Sequence, residues 1–132
     1  MAHYTSYQDL DIYKLAREVT KDVWHLIATT PLGVDYKLRD QINGSSGSIM
    51  DNIVEGFGRG GNREFINFLS YARGSCCETE AQLQRPLDRK HFSETQFNDL
   101  FNETKNLNDQ ISKFMNYLKA SDRKGSKFDS KK

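Results

Sequence analysis

Gly44-Ser45-Ser46-Gly47-Ser48-Ile49-Met50-Asp51-Asn52-Ile53-Val54-Glu55-Gly56-Phe57-Gly58-Arg59-Gly60-Gly61-Asn62-Arg63-Glu64-Phe65 is the stretch on which the fold turns. Its first five residues are poor helix formers, each glycine costing about 1 kcal/mol relative to alanine in a helix interior. Yet Leu38 and Ile42 before them and Ile49, Ile53 and Phe57 after them fall on one face when the helical pitch is carried through Ser45 and Ser46. A loop over 43–48 would split the segment into two short elements. A continuous helix would need its small residues to let a neighbouring helix approach closely, and the shared face favours this second reading, a helix over about 35–58. The glycines at 56, 58, 60 and 61 then form a corner, with Asn62 as the cap of the next helix.

Working outward, Ile12, Tyr13, Ala16, Val19, Val23, Trp24 and Ile27 recur at three- and four-residue steps, which predicts an amphipathic helix over about 9–29 with Asp9 as its cap. Thr30-Pro31 stops it, because the residue before proline avoids the α region. Downstream, Phe65, Leu69, Ala72, Cys76, Thr79, Leu83 and Pro86 form a heptad seam spaced four and three, predicting a helix over about 62–90 of the kind that packs in four-helix bundles. Pro86 predicts a kink or a helix end between 82 and 86. Ile66, Phe68 and Tyr71 widen the apolar face beyond one seam, so they are the candidate surface for a second apolar neighbour. Ser93-Glu94-Thr95-Gln96 reads as a capping box, and Phe97, Leu100, Thr104, Leu107, Ile111, Phe114 and Leu118 predict a last helix over about 93–119. The expected fold is all-α: an antiparallel up-down-up-down four-helix bundle in a single domain of residues 1–120, with 121–132 a disordered basic tail.

A chain of 132 residues suits one domain large enough to bury a core. No apolar run approaches the ~20 residues needed to cross a bilayer, and no signal peptide is recognisable, so no membrane association and a cytoplasmic location are expected. Residues 119–132 hold six Lys or Arg against two Asp, which leaves the other 118 residues at −3 within a total of +1. A slightly acidic body does not advertise general phosphate-backbone binding, so any nucleic-acid contact must be local or come from the tail.

The residues offer little catalytic chemistry. Cys76 and Cys77 are adjacent and form no disulfide framework, and His3, His25 and His91 lack metal-ligand spacing. The run Gly56-Phe57-Gly58-Arg59-Gly60-Gly61 matches G-x-G-x-x-G formally, but a dinucleotide fingerprint must follow a strand. No cofactor, metal or catalytic constellation is therefore expected, and the chain reads as a non-enzyme. Arg59 and Arg63, beside the amide-rich start of the third helix, are the candidate anion or nucleic-acid contacts. Asn52, Glu55, Arg73 and Glu78 are expected to form a buried polar clamp between the second and third helices.

Ser48-Ile49-Met50-Asp51-Asn52-Ile53-Val54-Glu55-Gly56-Phe57-Gly58-Arg59, then Glu64-Phe65-Ile66-Asn67-Phe68-Leu69, then Ala72-Arg73-Gly74-Ser75-Cys76-Cys77-Glu78-Thr79-Glu80 closely resembles the signature of the 23S ribosomal RNA intervening-sequence proteins, bacterial four-helix-bundle proteins. Ser48, Asn52, Glu55, Gly56, Gly58, Arg59, Arg73, Gly74, Ser75 and Glu78 match it by position, and the likeness extends over residues 7–118. The resemblance implies an up-down bundle assembled as a ring-shaped homo-oligomer, typically a homopentamer, with no established enzymatic activity. It also implies RNA or another nucleic acid as an alternative partner. A related branch, the accessory variability determinants of diversity-generating retroelements, works with a protein partner, a reverse transcriptase. This chain departs from the pattern at Asn43-Gly44-Ser45-Ser46-Gly47, where the family is basic and alanine-rich, and at Pro86. The expected function is a self-associating, non-catalytic scaffold or binding module.

Overall fold

The segment from Tyr36 to Gly58 is a single unbroken helix. It was obtained in a computed structural model of the chain, which describes the backbone of residues 4–129 and the side chains of residues 4–121. The long helices are α1 (Asp11–Thr29), α2 (Tyr36–Gly58), α3 (Asn62–Gln82) and, after the one-turn helix α4 (Gln84–Asp88), α5 (Glu94–Asp129). Short 3-10 turns at Tyr7–Asp9 and Pro31–Val34 precede α1 and α2, and there is no strand among the described residues. A four-helix bundle fits this all-helical arrangement. Around it, α1 packs on α2, α2 most extensively on α3, α3 on α5, and α5 back on α1.

The core follows the predicted seams. Every member of the third-helix heptad is buried, from Phe65 and Leu69 through Ala72, Cys76 and Thr79 to Leu83 and Pro86. Ile12, Ala16, Val19, Val23 and Ile27 of α1, Leu38, Ile42, Ile49 and Ile53 of α2, and Leu100, Leu107, Ile111 and Leu118 of α5 join them in one cluster. Each such aliphatic side chain contributes roughly 1.5–3 kcal/mol by leaving water. Trp24 does not belong to this face. It is 58% exposed, because the core stripe of α1 runs through Val23 and Ile27 and leaves position 24 on the outer flank.

The small residues of α2 act in two ways. On the inner side, Ser45 and Ser46 are buried, and Ser45 Oγ lies 2.9 Å from Thr79 Oγ1 and donates to Gln82 Oε1 at 2.7 Å. Ser48 Oγ meets Ser75 Oγ at 2.9 Å. These hydroxyl pairs satisfy polar atoms in a tight seam and fix the register of α2 against α3. Gly44 and Gly47 point the other way, with no atom within 4 Å of where a Cβ would stand, so the close approach expected of them is supplied by the serines and Gly56.

Several ends differ from expectation. Leu10, not Asp9, occupies the N-cap of α1, since Ser6 caps a preceding 3-10 turn that contains Asp9. Gly61 caps α3, which frees the Asn62 side chain to donate to the Leu118 carbonyl at 3.3 Å. The corner itself needs glycine at Gly60, where φ is +86°. Leu83 separates α3 from α4, so the Pro86 ring sits in the first turns of a new short helix, where its missing N–H costs little. The capping box forms as read, with Gln96 N–H donating to Ser93 Oγ at 3.1 Å and Ser93 N–H to Gln96 Oε1 at 2.9 Å. Residues 121–129, expected to be a disordered tail, continue α5 as helix, while 130–132 lie outside the described residues. One glycine in that stretch does not stop an established helix, because propagation adds a hydrogen bond for each residue fixed.

At one end of the bundle, Asp35 ties the connection before α2 to that before α5. Arg89 Nη1 donates to its Oδ2 at 2.6 Å and His91 Nε2 at 2.9 Å. These hydrogen bonds, His91's first and Arg89's second, hold the Asp35 carboxyl below its usual range of 3.8. A carboxyl lowered in the folded state stabilises the fold above its unfolded value and loses that contribution as pH falls through the folded one. Asp35→Asn is therefore expected to lower the thermal midpoint at pH 7 and to remove part of the wild type's decline below pH 4, read by circular dichroism.

Candidate functional surfaces

Arg59 and Arg63, the residues nominated for anion contact, are exposed but differently engaged. Arg59 Nη2 donates to Glu55 Oε1 at 2.8 Å one turn back, and its guanidinium lies 5.0 Å from the centre of the Phe68 ring. The guanidinium is thus engaged in an i,i+4 pair at the surface, which contributes only a few tenths of a kcal/mol. Arg63 instead opens onto a groove between α3 and α5 whose walls include Ile66, Asn67, Met115 and Lys119. Folding thus places Arg63 and Lys119, cations from opposite halves of the chain, on the walls of one groove together with the acid Glu64.

The buried clamp of Asn52, Glu55, Arg73 and Glu78 does not form. Glu55 is exposed on the outer side of α2 and pairs with Arg59, while Asn52 Nδ2 donates within α2 to the Ser48 carbonyl at 2.8 Å. Arg73 faces α5, where its Nε donates to Asn108 Oδ1 at 2.8 Å, and Glu78 is exposed. Four long polar side chains could not be desolvated in a seam this tight, and short hydroxyls fill it instead. The pairs Ser45 with Thr79 and Ser48 with Ser75 were the available signal, small polar residues at three- and four-residue steps on both stripes.

The interface candidates Ile66, Phe68 and Tyr71 also divide. Ile66 is partly buried against the core, and Phe68 is half-covered by Gly56 and Arg59. Tyr71 stays 53% exposed, its ring edge-on to Phe68 at 5.7 Å. Trp24, Val34, Tyr36 and Tyr117 are further large side chains left near half-exposed or more. Cys77 is exposed, whereas burial foremost pushes the Cys76 thiol up to about 12, so it stays protonated. No group of three or more His, Cys, Asp or Glu among the described residues is placed to hold a metal ion, and no described helix is long and apolar enough to cross a membrane.

The sequence model of a family described as the 23S rRNA-intervening sequence protein matches residues 8–113. The chain belongs to this family. Among solved structures, it superposes with a TM-score of 0.70 on a protein of unknown function from the S23 ribosomal protein family of Bacteroides thetaiotaomicron VPI-5482. The two are 21% identical, and the match covers 79% of this chain and 97% of that one, so it speaks for the fold alone. No curated protein matches. The family's description names no reaction. Of the residues that carry the resemblance, Ser48, Gly56 and Ser75 lie in the α2–α3 seam, Asn52 donates to Ser48 within α2, and Glu55, Gly58, Arg59, Arg73, Gly74 and Glu78 are exposed.

Proposed function

We propose that this chain is a non-catalytic scaffold of the intervening-sequence family that self-associates through its outer helix faces, its four long helices running antiparallel in up-down-up-down order. Opposed directions for α2 and α3 are supported by partner numbers that fall as others rise, Ser45 with Thr79, Ser48 with Ser75 and Gly56 beside Phe68, and for α3 and α5 by Asn62 with Leu118 and Arg73 with Asn108. Self-association rests on the exposed aromatic surface. Tyr71 lies on α3 between Phe68, level with Gly56, and Ser75, level with Ser48, beside an α2 whose outer side carries the bare positions Gly44 and Gly47. Contiguous apolar side chains left in water mark association surfaces, and Phe68 and Tyr71 touch on one face of α3. A ring of five subunits is the assembly implied by the family resemblance.

Sedimentation velocity tests the reading. The wild type is expected to run at a multiple of 15.2 kDa at micromolar concentration, and Tyr71→Asp, which places a charge at the interface, to shift it towards the single-chain mass with unchanged helicity. A wild type that sediments as one chain contradicts the proposal.

The groove that holds Arg63 and Lys119 favours a second reading, in which RNA is held at a local basic edge. Filter binding of RNA at low salt, with affinity falling as salt rises and falling further in Arg63→Ala, is the expected result. Retention that ignores salt would count against it.

A further inference from the structure

Two exposed faces of the bundle carry large aromatic side chains beside charges of opposite sign. On α1, Lys14, Arg17, Lys21, Trp24 and Ala28 recur at three- and four-residue steps and all are exposed, so they form one row along the outside of the helix. The row holds three cations and no acid, and of these only Lys21 has an ion-pair partner among the described residues, Glu18 at 3.5 Å. Further along the row Trp24 is 58% exposed, lining a hollow with Thr20, Lys21 and Ala28. The second face is the outer side of the α2–α3 seam. There Phe68 and Tyr71 touch edge-on, and the acids Asp51, Glu55 and Glu78 stand exposed on the two helices. Arg59 offsets Glu55 at 2.8 Å, which leaves Asp51 and Glu78 without an ion pair among the described residues. Thr20 Oγ1 meets Met50 Sδ at 3.3 Å and Ser48 Oγ meets Ser75 Oγ at 2.9 Å, so α1 and α3 flank α2 on different sides. The two faces therefore look out from neighbouring sides of the bundle and cannot meet within one chain.

We propose that the α1 row of one copy docks head-to-tail on the α2–α3 face of the next, Trp24 against Phe68 and Tyr71, with Lys14, Arg17 and Lys21 facing Asp51, Glu55 and Glu78. This rests on the self-association reading above and names the two surfaces that meet. The basic row set against its own copy, or the acidic face against its own, would oppose like charges, so charge selects the head-to-tail pairing over a twofold one. Because the two surfaces lie on neighbouring sides and not on opposite ones, each added copy turns the direction of growth, which favours closure over a straight filament.

Sedimentation velocity of mixed variants tests the pairing. Trp24→Asp disables one face and Tyr71→Asp the other, so each alone is expected to run as a single chain with unchanged helicity. Mixed in equal amounts they keep one intact pair of faces, the α2–α3 face of the first and the α1 row of the second, and should give a species of two chains and nothing larger. The mixture is run at roughly 100 μM, since one interface lacks the reinforcement of a closed assembly. Arg17→Glu combined with Lys21→Glu spares the apolar surface and should replace Trp24→Asp in the mixture. At low salt it should weaken assembly by roughly tenfold or more, a difference that shrinks near 1 M salt, where screening reaches about 3 Å. Trp24→Asp or the doubly reversed variant assembling like the wild type, as each would if the row served RNA or another protein, overturns the pairing and leaves self-association standing. A mixture that stays single-chain overturns it equally, and a wild type that runs as one chain overturns both.

Discussion

Gly56→Ala is expected to destabilise the protein by about 1–3 kcal/mol, although alanine is the better helix former. A Cβ at this position would stand 2.7 Å from Phe68 Cβ, 2.9 Å from Phe65 Cδ1 and 3.3 Å from the Phe65 carbonyl oxygen. Phe68 Cβ is fixed to the α3 backbone and cannot swing aside, so the helices themselves must part. The helix-propensity gain of at most about 1 kcal/mol is smaller than that cost. The same change at Gly44 or Gly47, where a Cβ meets nothing within 4 Å, should stabilise the single chain by about 0.5–1 kcal/mol each. Urea denaturation of the three variants thus reads opposite signs along one helix. A stabilised Gly56→Ala would mean that α2 and α3 do not meet there.

Phe65→Ala should be the most damaging core substitution, costing about 3–5 kcal/mol and roughly 10–20 °C in thermal midpoint. Phe65 is the largest fully buried side chain and meets Phe57 edge-on at 6.0 Å and Phe114 at 5.6 Å, so it joins α2, α3 and α5 at the glycine corner. Its removal leaves a cavity that three helices cannot all collapse into. Phe65→Leu keeps most of the volume and should cost under half as much. If thermal denaturation shows both variants within about 1 kcal/mol of wild type, this junction does not hold the bundle together.

What could be read from sequence was whatever repeats along one dimension. The four-and-three spacing from Phe65 to Pro86 placed each of those residues in the core, and the Ser93–Gln96 box placed the start of α5. Pairings across helices are not periodic, and these were misread or missed. Glu55 and Arg73 look like partners only while the rotation of α2 and α3 is unknown, and the structure turns one to Arg59 and the other to Asn108. Asp35 and His91 meet across 56 positions. Three- and four-residue spacing admits both Val23 and Trp24 to the α1 stripe, but they stand about 100° apart on the helix, a difference that puts one in the core and the other in solvent.

The bundle depends on α2 being one helix through its least helical residues, held there by hydroxyl pairs with α3. Native-state hydrogen exchange at the amides of residues 43–48 tests this most directly. These amides are expected to be protected to within about tenfold of those at Ile42 and Ile49, and to lose that protection together with Ser75 and Thr79 when Ser45 is replaced by a bulky leucine. Exchange at loop rates over 43–48, beside protected flanks, would contradict it.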